Sequence, residues 1–447
     1  MAWSFWDWGS AAFNAVVTTF VFSTFLVSDG VFTSTEDANK ALSLGLSVAG
    51  LIIALLAPIT GQRSDRQGRG TLMLGVFTFA VVGCMFLMFF VAPDSPLGLS
   101  KIQSLWLGIG LLGLGNIFFE FASVNYNAML GRISTPKTMG RVSGLGWGMG
   151  YVGGIVLLGI LLIAFIMPDV GLFGVTGENG LHVRVSVVFS ALWFGLSALP
   201  VLLMIRGRKV QDRESSVEGA APEASKNAPQ GRESIITSYK LLIRTIIGLA
   251  KRSPHTLFFL ISSAVFRDGL AGVFTFGAII AASVFGFSTT EVMLFGIAAN
   301  VVAGIATIAF GYLDDVIGPK RVIILSLVSM LVCGMTIFFL HEGGKTMFWI
   351  FGLLLCIWVG PAQSASRSFL ARVIPEGREG EVFGLYATTG RAVSFLSPML
   401  YGVAIGVGAL VMGPGADATY WGILGIMVVL FAGLMLLLPV KQITSTH

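Results

Sequence analysis

Charge is what this sequence has least of. Asp, Glu, Lys and Arg make up 11% of its 447 residues, against about 25% in a soluble domain. So few charges cannot solvate a water-exposed surface, which excludes a soluble enzyme, a nucleic-acid-binding protein and a disordered scaffold. Cysteine and histidine are scarce too. Cys84, Cys333 and Cys356 fall inside apolar runs and read as small buried hydrophobes, not as a disulfide or metal set. His182, His255, His341 and His447 are scattered near run ends or the terminus, and no HExxH, P-loop or GxSxG arrangement occurs. No catalytic group, cofactor or metal is therefore expected.

What is present is long apolar runs. Hydrophobic residues are 55% of the chain, glycine contributes 57 positions and the mean hydropathy is +0.86. A membrane-spanning helix needs about 20 apolar residues, and the runs are that long. The roughly 10-residue alternating segments of a membrane β-barrel are absent. The chain reads as an all-α polytopic membrane protein with twelve transmembrane helices, expected at 3–28, 41–60, 71–92, 103–130, 141–167, 183–205, 255–286, 291–312, 321–340, 346–370, 381–408 and 418–440. Asp7 interrupts the first run and no small-residue cleavage site follows, so a span is expected there rather than a cleaved leader.

The longest polar stretch, 206–253, separates the sixth and seventh runs. Its first part is rich in Glu, Ser, Ala and Pro and reads as a linker. From Ser234 to Arg252, apolar residues recur at helical spacing beside Lys240, Arg244, Lys251 and Arg252. That pattern reads as an amphipathic helix on the membrane surface, or equally as a connector packed on the protein. The domains expected are 1–205, the 206–253 linker and 254–447.

Basic residues set the orientation. With both termini in the cytoplasm, the outer side holds only Lys40, Lys101, Arg184 and Lys345, while Arg267, Arg367 and Arg391 lie in spans. Of 28 Lys and Arg, 28 − 4 − 3 leaves 21 on the inner side. That asymmetry requires an even number of spans.

The chain repeats itself. Gly61, Asp65, Arg66, Gly68 and Arg69 follow the second span, and Gly311, Asp315, Gly318, Lys320 and Arg321 follow the eighth, 250 positions later. Arg132 is echoed by Arg372 and Gly144 by Gly384, each 240 positions on. Two six-helix halves in one orientation form the parallel repeat of a transporter that rocks about a central cavity.

The GxxxD loop with its following glycine and basic residues resembles the signature loop of the major facilitator superfamily. Other stretches resemble that superfamily's vacuole-effluxer-like branch. They are Trp6-Asp7-Trp8 with Phe13-Asn14, Tyr126-Asn127, the Gly144 to Gly154 run, Arg267-Asp268-Gly269, Ser366-Arg367-Ser368, Ile374-Pro375-Glu376 with Arg378, and Phe383-Gly384 with Tyr386. The eukaryotic members of that branch are autophagy-associated vacuolar amino-acid exporters. The resemblance implies the major facilitator fold and a role in solute transport.

Six charges lie in or beside spans: Asp7, Glu120, Asp268, Arg267, Arg367 and Arg391. A charge in the bilayer core costs several kcal/mol, so such groups pair, face a cavity or carry function. Asp7 and Asp268 occupy matching places in the first helix of each half. Each reads as a proton carrier, or as half of a structural pair, such as Asp268 with Arg391 or Arg367, that locks the inner gate. Asn116, Glu120, Ser123 and Asn127 share one face of the fourth span, which points away from lipid. Arg367 aligns with Asn127, and Arg391 with Tyr151, across the 240-residue repeat. An acid at Glu120 in one half and arginine in the other suit a zwitterion. Asn125 and Tyr126 fall off that face and read as packing residues. Asp65, Arg66, Arg69, Asp315, Lys320 and Arg321 read as gating groups, the two acids pairing with basic groups or helix N-termini across the halves. The glycines of span five read as packing columns, and Trp3, Phe5, Trp6 and Trp8 as an interfacial belt.

The function expected is a secondary active transporter of a small polar or zwitterionic, amino-acid-like solute, proton-linked by symport or antiport. Two alternatives stay open: a transporter of a lysolipid or lipid-linked amphiphile, and a non-transporting membrane receptor. The expected partners are the solute, protons and the bilayer, with no nucleic acid. A monomer in a bacterial cytoplasmic (inner) membrane is expected.

Overall fold

A computed structural model of the chain describes residues 2–28, 30–33, 35–204, 254–287, 289–374, 378–413 and 418–441, with helical positions at Lys240, Ile243, Arg244 and 246–248. The linker and most of the expected amphipathic helix lie outside these residues. So do the side chains of Asp65 and Arg66.

Twelve helices among the described residues are long and apolar enough to cross a membrane. Spans 1 to 6 are Ser4–Val27, Leu44–Ser64, Gly70–Phe90, Lys101–Ile133, Met139–Ile166 and Glu178–Leu203. Spans 7 to 12 are Pro254–Ala281, Leu294–Ile317, Pro319–Phe339, Gly344–Val373, Glu379–Met412 and Thr419–Leu437. Local signals set their starts. A Ser100–Gln103 capping box opens span 4. Gly318 at φ 87° followed by Pro319 turns the chain into span 9.

Buried side chains form two clusters. One is built from spans 1 to 6. The other is built from spans 7 to 12 together with Ala49, Ile53, Ala57, Ile117, Phe121, Val124 and Ala128 of spans 2 and 4. Spans 2 and 4 thus bridge the two sets. The tightest backbone approaches between the two sets lie toward one end. We call the side where span 1 begins and span 12 ends the terminal face, and the other side the distal face. A Cβ added at Gly61, Gly140, Gly144 or Gly148, near the terminal face, would overlap atoms of the opposite set. One added at Gly50, Gly159, Gly296 or Gly402, further toward the distal face, would meet nothing within 4 Å. The molecule is closed at its terminal face.

Three features depart from expectation. Ala12–Phe20 in span 1 is π-helical. Span 11 is broken: one helix ends at Val393 and the next begins at Leu396. Pro398 lacks the N–H that would bond back to Ser394, so the ladder cannot run through. The expected aromatic belt holds only in part, because Phe5 is 40% exposed while Trp3 and Trp6 are each 2% exposed. Trp3 stacks on Tyr126 at 4.2 Å, and Trp6 donates its indole N–H to Thr78 Oγ1 at 3.0 Å. Their apolar area goes into the core of spans 1, 3 and 4.

Candidate functional site

Charged and polar side chains meet in three layers between the two sets of spans. The layer nearest the terminal face rests on Asp315. Its carboxylate accepts the backbone N–H groups of Gly140 at 2.7 Å and Arg141 at 3.1 Å, at the start of span 5 in the opposite half. Thr138, the N-cap residue there, makes no side-chain cap of its own. Asp315 therefore caps span 5 from outside. Arg141 and Arg372 donate to the same carboxylate at 3.1 and 3.0 Å. Asp314 pairs with Arg372 at 2.9 Å and accepts from the Ser368 hydroxyl. Lys320 turns to the Leu438 carbonyl in its own half, so the expected cluster of Asp315 with Lys320 and Arg321 does not form. Arg69 and Arg321 make no ion pair among the described residues, and Asp65 and Arg66 lie outside them. At the ends of spans 2 and 11, Gln62 donates to Glu381 at 2.8 Å.

Asp315→Asn weakens this cap, and the first turn of span 5 frays with it. Hydrogen exchange of the Gly140 and Arg141 amides should quicken about five- to thirty-fold, the equivalent of about 1–2 kcal/mol. An unchanged rate means the cap contributes nothing to closure.

The second layer is buried. Arg367 from span 10 donates through Nη1 to Asp7 Oδ2 and to Asn127 Oδ1, both at 3.2 Å. Its Nε reaches Ser143 Oγ at 3.0 Å and its Nη2 the Ser143 carbonyl at 2.7 Å. Its guanidinium lies over the rings of Trp3, Tyr126 and Trp147. Tyr126 donates its hydroxyl to the same Asp7 oxygen at 2.9 Å. Arg367 and Asp7 are 5% and 15% exposed. One arginine of the second half is thus gripped by spans 1, 4 and 5 of the first. Gly146 makes room: a Cβ there would strike Asp7, Arg367 and Trp3.

Two helical turns further toward the distal face lies the third layer. Arg391 of span 11 reaches Glu120 Oε2 and Asn116 Oδ1, both at 3.4 Å. Here the side chains are 38% and 20% exposed. Seven residues separate Glu120 from Asn127, which is about 10 Å along the helix. The polar face of span 4 thus meets Arg391 at one level and Arg367 at the next, with the Ser123–Asn127 contact at 3.2 Å between them. Across the 240-residue repeat Arg391 corresponds to Tyr151, whose hydroxyl lies 3.5 Å from Gln363 of span 10, while Glu120 corresponds to Gly360, so the second half has no acid at that place.

Two expected site residues sit elsewhere. Asp268 meets neither arginine. Its Oδ2 accepts the Ser397 N–H at 2.6 Å and its carbonyl accepts the Ser397 hydroxyl at 2.9 Å. Ser397 lies in the first turn of the second helix of broken span 11, so Asp268 caps that break. Arg267 lies 3.8 Å over the Tyr386 ring and donates to the Tyr386 carbonyl at 3.2 Å, all within the second half. Asp268→Ala should lower the thermal midpoint in detergent by the loss of about 1–2 kcal/mol. Asp268→Asn keeps an acceptor and should stay near wild type in stability and transport. Lost transport in the Asn variant would return Asp268 to the proton carriers.

Sequence reasoning missed Ser143, Asp314, Arg372 and the Tyr126 hydroxyl. Tyr126 and Asn125 did carry a signal, as polar groups in an apolar helix. Asn125 takes the Ser64 hydroxyl of span 2.

The comparisons settle the family. A family model described as vacuole effluxer Atg22 like matches residues 31–442. The chain belongs to this family. Among relatives of the Atg22-like proteins, an uncharacterized MFS-type transporter, YxiO of Bacillus subtilis, is 25% identical over 100% of this chain and 95% of its own. Autophagy-related protein 22 of Yarrowia lipolytica is 22% identical over 70% of this chain and 54% of its own. The chain spans about half the length of that fungal relative. Two solved structures share the fold. The proton:xylose symporter XylE bound to 6-bromo-6-deoxy-D-glucose superposes with TM-score 0.67 at 13% identity, covering 99% of this chain and 95% of that one. A bacterial homologue of the iron transporter ferroportin in an outward-facing state gives TM-score 0.65 at 15% identity, covering 98% and 96%. The protein is an integral membrane transporter of the major facilitator superfamily, in its Atg22-like branch.

Proposed function

We propose that this secondary transporter carries a small zwitterionic, amino-acid-like solute, with Glu120 and Asn116 taking the ammonium group and Arg391 the carboxylate. The observation that carries this reading is the Glu120–Arg391 pair. Its partners lie on opposite halves, are part-exposed and meet at 3.4 Å. A pair so long and so wet contributes little on its own, and a solute with both charges can replace it at small cost. The basic-residue asymmetry supports a cytoplasmic terminal face, hence an outward-facing state.

Proton linkage is assigned to the layer below. A proton on Asp7 removes the charge that holds Arg367, so closure weakens only when Asp7 is protonated. Rocking of 1–205 against 254–447 then exposes the solute to the other side. The sequence resemblance to the autophagy-associated vacuolar amino-acid exporters supports an amino acid as the solute. A second reading, an amphiphile, rests on span 11 beyond its break, where Phe395, Met399 and Val403 are exposed.

The test is proteoliposome transport with an internal pH dye, challenged with pooled amino acids and then with pooled lysolipids. The wild type should move protons with the amino-acid pool. Glu120→Gln and Arg391→Gln should abolish uptake, while Asp7→Asn should uncouple it from the dye signal. A response to lysolipids alone would replace this reading with the second one.

A further inference from the structure

Asn14 carries an unusual combination of features. Its side chain is exposed within a membrane span. No hydrogen bond among the described residues reaches its amide, yet its backbone carbonyl is heavily used. The Thr18 and Thr19 hydroxyls both donate to that carbonyl, at 2.5 and 2.8 Å. An unpaired carboxamide is costly in hydrocarbon. An exposed one in a span must therefore face water.

The neighbours of Asn14 say which water. Phe13 stacks on Phe119 at 5.3 Å, and a Cβ at Gly115 would strike the Phe13 ring. Gly115 and Phe119 bracket Asn116 and precede Glu120. Asn14 is thus level with the third layer. A second count agrees. Asn14 is seven residues beyond Asp7, as Glu120 is seven from Asn127, and Asp7 and Asn127 share one Arg367 nitrogen. The last of those seven steps run through the π-helical stretch, so the count gives the level of Asn14, and its exposure, not its helical phase, turns the amide to the water between the halves.

The π-helical stretch Ala12–Phe20 contains Asn14. Single π-turns mark functional sites, and nine residues of π-helix need support. The two threonine hydroxyls on the Asn14 carbonyl supply it. We infer that Asn14 is the third wall of the Glu120–Arg391 chamber and a solute-contacting residue, its amide giving a donor and an acceptor between the two charges. This rests on the chamber being the solute site, but Asn14's place in it can be tested without any solute.

The test uses the full chain in proteoliposomes with its three buried cysteines replaced by alanine. Asn14→Cys is challenged with small membrane-impermeant thiosulfonates, one anionic and one cationic. It should react with both. Replacing Arg391 by Gln should lower the anion-to-cation rate ratio about five-fold, and Glu120→Gln should raise it similarly, as two charges lining the same chamber require. Lys345→Gln, on the distal surface, should leave the ratio unchanged. An unreactive thiol, or a ratio indifferent to both charges, overturns the assignment. In the amino-acid transport assay, Asn14→Ala should raise the half-saturating concentration about ten-fold with maximal rate retained, and Asn14→Gln should recover part of the loss. A reactive, charge-sensitive thiol with unchanged half-saturation would overturn the solute contact. If the pool is not transported even by wild type, the zwitterion reading falls, while the labelling still decides where Asn14 lies.

Discussion

Arg367→Gln should open the terminal face. The arginine makes four hydrogen bonds to Asp7, Asn127 and Ser143, and almost none of it is exposed. Removing it leaves the Asp7 carboxylate buried with Tyr126 as its one remaining side-chain donor among the described residues. Breaking a buried pair from one side costs about 3–5 kcal/mol, which displaces a two-state equilibrium by more than about 100-fold. The loss falls on the closed state, because these bonds exist only while the halves touch. Spin labels at Gly131 and Arg378, exposed positions of opposite halves on the terminal face, should report it. The wild type should give one short distance, and Arg367→Gln a dominant longer one. Adding Asp7→Asn removes the stranded charge and should restore part of the short population. A single short distance in Arg367→Gln would show that Asp315 and its neighbours hold the face closed alone.

Two glycines of span 5 should behave in opposite ways. A Cβ at Gly144 meets the Thr307 carbonyl and Gly311 of the opposite half. A Cβ at Gly153 meets the Trp8 carbonyl of its own half. Both clash with backbone, which cannot swing aside, and overpacking of this kind costs about 1–3 kcal/mol. Gly144→Ala should therefore leave the thermal midpoint near wild type and lengthen the spin-label distance. Gly153→Ala should lower the midpoint and leave the distance alone. If both variants lose stability alike, the two columns do not separate motion from folding.

How much of this was legible beforehand follows from the range of each interaction. Span number and edges depend on hydropathy summed over some 20 residues, which a sequence displays directly. The polar face of span 4 was visible as spacing, and the asymmetry of Arg391 against Tyr151 as an offset. A partner for Asp315 across the halves followed from its place in the repeat, but the sequence left a basic group and a helix N-terminus equally open. Partnerships that depend on helix rotation were not legible. Asp268 looked equivalent to Asp7, yet one caps a broken helix and the other grips an arginine. The break at Ser394–Phe395 separates them, and Pro398 was its only trace. Tyr126 looked like packing because spacing gives its direction but not the reach of its hydroxyl to Asp7. The π-helix of span 1 departs from the 3.6-residue period, and nothing in the sequence announced it, so the Asn14 exposure could not be counted out beforehand.

The absence of counterparts to Glu120 and Arg391 across the repeat, where Gly360 and Tyr151 stand instead, carries a historical implication. A duplicated ancestor with identical halves would have had the same residues at both places. Two copies of the first half would present two acids and two tyrosines, with no cation to balance them. Two copies of the second half would present only arginines. Neither symmetric parent could hold one solute bearing both charges. On the proposed zwitterion reading the two halves are specialised rather than redundant, Glu120 standing against Gly360 and Arg391 against Tyr151 across the repeat.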